Sequence, residues 1–259
     1  MKQFVLSCVP DERGRVVLRG GDYRYLVRVR RLAPGESFPA LLPDGSKVGV
    51  RVCSVDGSRL VGEVVREVGS PSDTASDSIP PIVLFQALPK GEKMDLVVRQ
   101  AAEGGISEIV PFESEFSDAK IGGRAGNKFA RWERIVREAR QQSGSARATV
   151  VRSPTTADGL FRRWEEIRAQ RPGAIGLLFH HLPLAKTSLH GYLDGNPDAV
   201  VLAIGPEGGF SNSEVERFLS AGFRPFTIGD TILRTETAAL YAQAAIRILL
   251  LERDSWITR

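Results

Sequence analysis

The stretch from Ile204 to Leu240, IGPEGGFSNSEVERFLSAGFRPFTIGDTILRTETAAL, holds a strand, a loop and a helix in that order twice over. The β-branched and apolar run Ala199 to Ile204 predicts a buried strand. It must stop at Gly205-Pro206-Glu207-Gly208-Gly209, because Pro206 has no N–H to give to a ladder. Ser211 with Glu214 three residues on has the spacing of a capping box, and Gly222 is placed to end that helix. A second strand, Phe223 to Ile228, breaks at Gly229. A loop with Ile232, Leu233 and Arg234 then enters an alanine-rich helix, Thr235 to Glu252. Both loops follow strand ends, and in α/β folds ligands bind just outside the carboxyl ends of strands.

Glycines around the Glu207 carboxylate let backbone groups come close to a ligand, since no Cβ stands in the way. Such a loop binds through its main chain. The chain has no GxxxxGK[ST] and no GxGxxG opening a helix after a strand, which weighs against nucleoside triphosphates and dinucleotides. The competing reading of the glycines is a tight turn that serves only to reverse the chain.

With 259 residues, 42% hydrophobic and 25% charged, the chain has the composition of an ordinary soluble protein of one large or two modest domains. No apolar run approaches the roughly 20 residues that a membrane helix needs, and the N-terminal apolar stretch is too short for a secretory signal. A cytoplasmic protein is the expectation. Cys8 and Cys53 form no CxxC pair and lie in strand-like segments, where a reduced cysteine acts as a small hydrophobe. Three histidines, His180, His181 and His190, are too few and too scattered to suggest zinc. The His180-His181 pair ends an apolar strand, Ala174 to Phe179, and either borders a pocket or is a solvated strand end.

Charge is unevenly distributed. Residues 1 to 70 hold 12 of the 35 Lys and Arg and 8 of the 31 Asp and Glu, so the whole surplus of +4 lies there. Arg19, Arg24, Arg28, Arg30 and Arg31, interleaved with Tyr23 and Tyr25, combine phosphate-pairing forks with stacking faces, which suits an RNA surface. A solvated strand or helix face is the plainer explanation.

Short alternating segments at Arg15 to Leu18, Ser37 to Leu42, Lys47 to Val55 and Arg59 to Val65, with strong turns at Pro43-Asp44-Gly45-Ser46 and Asp56-Gly57-Ser58, predict a small β-barrel over 1–70. A basic helix, Asp22 to Arg31, interrupts it. The polar, proline-bearing segment around 71–81 reads as a linker. From 82 to 259 strands and helices alternate, at Ile82 to Leu88, Lys93 to Glu103, Ile106 to Phe112, Lys128 to Gln142 and Thr156 to Gln170, and imply a mainly parallel sheet. The last helix carries small and apolar residues along one broad face, for the core or for a dimer seam.

GPEGGFS and IGDTILRTETAA, in this order and spacing, resemble the C-terminal signature of the RsmE-type ribosomal RNA methyltransferases of the SPOUT class. The likeness extends upstream to Lys90-Gly91-Glu92-Lys93-Met94, to the helix running through Arg99-Gln100-Ala101-Ala102-Glu103 to Gly104-Gly105-Ile106, and to Glu138-Ala139 with Gln142-Ser143. The chain departs from the family pattern at Tyr25, where a histidine is usual, at Phe116 and Ser145, where arginines are, and at Thr231, a commonly basic position.

The resemblance implies an α/β fold whose C-terminal part is a trefoil knot, a PUA-like barrel before it, and a homodimer. It also implies S-adenosylmethionine as cofactor and methylation of N3 of a uridine in 16S ribosomal RNA, free or within the 30S subunit. Cofactor contacts would come from Leu178, Phe179, His180, Gly205, Pro206, Glu207, Gly209, Ile228, Gly229, Ile232, Leu233, Arg234 and Thr235. Arg234 would stabilise the uracil anion or hold a phosphate, and Glu236 or Glu207 would take the proton if burial raised its pKa. Alternatively, Glu236 only caps the last helix. RNA contacts would include the N-terminal arginines and Tyr25 with Lys90 and Lys93. Two rivals stand beside this: a knotted methyltransferase acting on a ribose 2′-oxygen or on transfer RNA, and an RNA-binding assembly factor without turnover.

Overall fold

The computed structural model describes residues 4–65, 79–117, 125–145, 147–181, 184 and 187–252. The expected boundary at 70 and the linker as far as residue 78 lie outside the described residues. The chain divides into two compact units, Met1–Ala75 with Arg140–Ala148, and Ser76–Ala139 with Thr149–Arg259.

The first unit is a five-stranded mixed sheet of β1 (Phe4–Val5), β2 (Arg15–Arg19), β3 (Ser37–Leu41), β4 (Lys47–Asp56) and β5 (Arg59–Val65). Their order is β1-β3-β4-β5-β2. Only β1 with β3 is parallel. Alternation decides which side chains turn inward: Val16 and Leu18 of β2 are buried between exposed neighbours and join Phe4, Leu26, Phe38, Val50 and Leu60. The basic helix begins earlier than expected, as α1 (Gly20–Tyr23), and continues as a π-helix over Arg24–Val29. Arg30 N–H donates to the Tyr25 carbonyl at 2.9 Å, the wider i to i+5 closure. Cys53 sits where β4 slips register, between Val52 and Ser54, and is exposed; Cys8 packs on the core from a bend rather than a strand. The strand expectation thus holds for Cys53, which is exposed, whereas Cys8 is half-buried against the core and lies outside a strand.

The second unit is a six-stranded, wholly parallel sheet. Its strands are β6 (Ile82–Ala87), β7 (Glu108–Phe112), β8 (Val150–Val151), β9 (Ile175–Phe179), β10 (Val200–Ile204) and β11 (Arg224–Phe226), in the order β11-β9-β10-β6-β7-β8. Strands buried on both faces read as continuous apolar runs, and every residue of β6, β7 and β10 is buried. One face packs α2 (Lys93–Glu103), α3 (Ala125–Ser143), α5 (Leu189–Leu193) and α7 (Thr235–Glu252). The other packs α4 (Ala157–Gln170) and α6 (Asn212–Ser220), where Phe112, Trp164, Phe210, Phe218 and Phe223 meet. The Ser211–Glu214 capping box forms as the spacing predicts, and Gly222 follows α6 with φ +88. Among the described residues no helix is long and apolar enough to cross a membrane.

Candidate active site

Strand order builds the site. Because β11, β9 and β10 are neighbours, the segments after them come together at one end of the sheet, although they are far apart in the chain. Phe226 pairs with Phe179, Leu178 with Ala203, and His180 N–H donates to the Phe226 carbonyl at 3.0 Å. Leu178 and His180 are buried, Phe179 is half-buried, and the His180 and His181 rings stack 4.6 Å apart. Leu178 to His180, Gly205 to Gly209 and Ile228 to Thr235 therefore lie at one end of the sheet, after neighbouring strands.

The loop after β10 is a closed turn, with Gly209 N–H donating to the Pro206 carbonyl at 3.0 Å. Gly209 and Gly229 both have φ +71, a left-handed conformation that favours glycine, and no atom lies within 4 Å of where a Cβ would stand on either. Main chain at both positions faces open space. Gly205 is different: a Cβ there would lie 3.2 Å from the Gly209 carbonyl carbon and 3.3 Å from its Cα.

The head of α7 is fixed to this loop by buried hydrogen bonds. Thr235 Oγ1 donates to the Gly205 carbonyl at 2.6 Å and accepts from Gln86 Nε2 at 3.1 Å. From the edge strand β11 the chain thus returns across the ends of β9 and β10 to start α7 beside β6. Gln86 is fully buried, inside the strand that the sequence predicts from Ile82 to Leu88. A glutamine in an apolar run buried on both faces must find a polar partner, and that was the available signal.

Arg234, Gly229 and Thr231 are exposed, Ile232 is 83% exposed, and Ile228 and Leu233 pack on the core. Glu236 Oε2 is buried without a hydrogen-bond partner among the described residues. Glu207 differs from the expected base. Its carboxylate accepts from Lys93 Nζ at 2.5 Å and from Lys90 N–H at 3.2 Å. Burial pushes its pKa up, but Lys93 and the Lys90 amide more than offset this, so the carboxyl titrates below the ordinary glutamate range. It is an anion that ties the β10 loop to the β6 loop, and the same ion pair commits the Lys93 charge that the resemblance assigned to RNA.

Since the folded pKa is lowered, the tether is complete at neutral pH and fades as pH falls below the ordinary glutamate value through the folded one. Glu207→Gln should lower the melting temperature at pH 7 by about 1–3 °C, as befits a partly exposed pair. The gap to wild type should close on acidification. A gap that widens on acidification would contradict the tether.

A further element at this end was not foreseen. Glu214 reaches beyond its capping box to accept from Glu115 N–H at 2.9 Å and Ser114 Oγ at 3.1 Å, anchoring the loop after β7. This loop sets Phe116 against Gly208, where an added Cβ would come within 3.0 Å of the Phe116 Cβ.

In the first unit Arg19, Arg24, Arg28 and Arg31 are exposed, and Arg30 lies half-buried with its guanidinium 6.0 Å from the Phe38 ring centre. Tyr25 is 38% exposed and stacks on Phe4. Ser145 N–H donates to Ser143 Oγ at 3.2 Å. Among the described residues no three His, Cys, Asp or Glu are grouped to hold a metal ion.

A family model described as an RNA methyltransferase domain matches residues 77–247. The ribosomal RNA small subunit methyltransferase E of Mycobacterium bovis is 30% identical over 256 residues, 97% of this chain and 93% of that protein. Its namesake from Synechocystis is 32% identical over 237 residues, 91% of this chain and 73% of that one. The crystal structure of the Neisseria gonorrhoeae ribosomal RNA small subunit methyltransferase E bound to S-adenosyl methionine superposes with a TM-score of 0.77 at 27% identity, covering 96% of this chain and 98% of that one. With a parallel-sheet unit of the SPOUT α/β-knot class and a small PUA-like β-unit, this chain belongs to the RNA methyltransferase domain family, among the ribosomal RNA small subunit methyltransferases E.

Proposed function

We propose that the protein transfers the methyl group of S-adenosylmethionine to N3 of a uridine in 16S ribosomal RNA. The observation that carries this reading is the convergence of three main-chain segments beyond β9, β10 and β11, with Gly209 and Gly229 presenting backbone to open space. The residues fit the cofactor: Gly209 and Gly229, both at φ +71, leave main chain open to a ligand, and Ile228 and Leu233 add apolar side chains in the adjoining segment. Leu178 to His180, Gly205 to Gly209 and Ile228 to Thr235 would hold it, mostly through main chain. When bound, it supplies an electrophilic methyl group on a sulfonium.

An imide N3 is a poor nucleophile until its proton leaves. Arg234, at the entry to α7, presents a cation to the uracil anion, next to the positive end of the helix dipole. Glu236, with its unpartnered Oε2, is the proton acceptor in this reading. Glu207 positions the loop and takes no proton. The arginines of the first unit hold RNA phosphates, with Tyr25 as a stacking face. Two copies of the chain pair through the packed helices α2 and α7, which leave Leu96, Tyr241 and Ile248 exposed; a monomer mass by light scattering would remove that element.

The test is methyl transfer from labelled S-adenosylmethionine to unmethylated small ribosomal subunits and to free 16S RNA, followed by nucleoside analysis. The label should appear as 3-methyluridine. Label in a 2′-O-methyl nucleoside or in transfer RNA alone would overturn the substrate, and binding of RNA without any transfer would favour the assembly factor.

A further inference from the structure

We propose that Phe116 is a platform on which a base of the RNA substrate stacks at the mouth of the site. This rests on the function proposed above and adds an RNA-positioning residue to it. Phe116 is 47% exposed, whereas Phe112, four residues earlier, turns into the aromatic cluster with Phe210 and Phe218. An exposed phenyl ring on a loop would ordinarily be free to swing. Here the loop is held at each step. Glu113 N–H donates to the Thr155 carbonyl at 2.9 Å, Ser117 N–H to the Ser114 carbonyl at 3.0 Å, and Ser114 N–H to Ser117 Oγ at 3.2 Å. Glu214 anchors Ser114 and Glu115 from the other side, and the Phe116 Cβ and Cγ rest against Gly208.

The ring is thus pre-placed beside the turn that frames the proposed cofactor cradle, so stacking on it needs little further ordering. Local charge selects the kind of contact. Glu115 is the adjoining residue, and the Glu207 carboxylate before Gly208 already holds the Lys93 charge, so a phosphate finds that cation taken while the uncharged face of a nucleobase needs none. Stacking on an aromatic face tolerates any base and contributes substantially to the binding of unpaired RNA.

Phe116→Ala, Phe116→Leu and Phe116→Tyr separate the possibilities. Calorimetry gives the affinity for S-adenosylmethionine, and steady-state transfer to unmethylated small subunits gives KM and kcat for RNA. The alanine and leucine proteins should show KM for RNA raised about tenfold, with the tyrosine protein within about twofold of wild type. All three should bind the cofactor as wild type does and melt at the same temperature.

An unchanged KM in Phe116→Ala, a leucine protein equal to wild type, or a loss confined to cofactor affinity would each overturn the stacking role. If wild type transfers no methyl group, the proposed function fails and this inference with it. If wild type transfers normally and Phe116→Ala is indistinguishable, only this inference fails.

Discussion

Valine in place of Gly205 should abolish measurable binding of S-adenosylmethionine, weakening it more than about 100-fold, or roughly 2.7 kcal/mol. The Cβ alone would stand 3.2 Å and 3.3 Å from two Gly209 backbone atoms and 3.4 Å from Phe210 Cδ2, and valine adds two further methyl groups to that already tight position. Gly209 cannot simply retreat, because its N–H is bonded to the Pro206 carbonyl and its φ of +71 is already special. On the other side, the Gly205 carbonyl accepts from Thr235, so displacing Gly205 also shifts the head of α7. Overpacking of this kind costs about 1–3 kcal/mol, and here it falls on the loop that forms the cradle. Gly205→Ala, needing shifts of only a few tenths of an ångström, should weaken binding about tenfold. Calorimetric titration, with circular dichroism to verify folding, measures both. A folded Gly205→Val protein with wild-type affinity would remove the loop after β10 from the cofactor site.

The two loops were legible because local rules converge on them. Pro206 ends one ladder, Ser211 and Glu214 start a helix, and the helix from Thr235 to Glu252 has the bounds its apolar stripe suggests. What could not be read is what depends on strand order. Periodicity shows that β9, β10 and β11 exist, but nothing local says that β10 lies between β9 and β6 with β11 outside. That order alone brings Leu178, Gly205 and Ile228 to one place. The bond from Gln86 to Thr235 and the reach of Glu214 to Ser114 and Glu115 span most of the unit and follow from the same order.

Very short elements also escaped. The strands Phe4–Val5 and Val150–Val151 and the helix Leu189–Leu193 are too brief to show a period. For Glu207 the condition for a base, a pKa raised by burial, is not met, for a related reason. Burial, foreseeable in outline, would raise its pKa, whereas Lys93 and the Lys90 amide, which lower it, are brought there by folding.

The departures at Phe116 and Thr231 are instructive in the same way. The resemblance sets a cation at both positions, yet the structure gives the first a held ring against Gly208 and leaves the second exposed. In the proposed mechanism Phe116 brings no charge, so the demand for positive charge falls on Arg234.

Arg234→Ala should therefore lower kcat about 10²–10³-fold, the range for removing one oriented group that stabilises developing negative charge. Cofactor affinity should change little, because the contacts of this loop are assigned to main chain and the Arg234 carbonyl still accepts from Ala238 N–H at 2.7 Å to begin α7. Two roles for the guanidinium give opposite kinetic patterns. If Arg234 stabilises the uracil anion, kcat falls at saturating RNA and recovers in part as pH rises, since more of the N3 proton then leaves without help. If it holds a neighbouring phosphate in ground state and transition state alike, KM for RNA rises with kcat unchanged and high pH gives no rescue. Lysine at this position keeps the charge but not the planar fork, so Arg234→Lys should retain more of kcat in the first case. Single-turnover rates across pH for wild type, Arg234→Ala and Arg234→Lys distinguish the two. Wild-type kcat in Arg234→Ala would exclude the residue from the chemistry and leave the positive end of α7 as the charge that the anion meets.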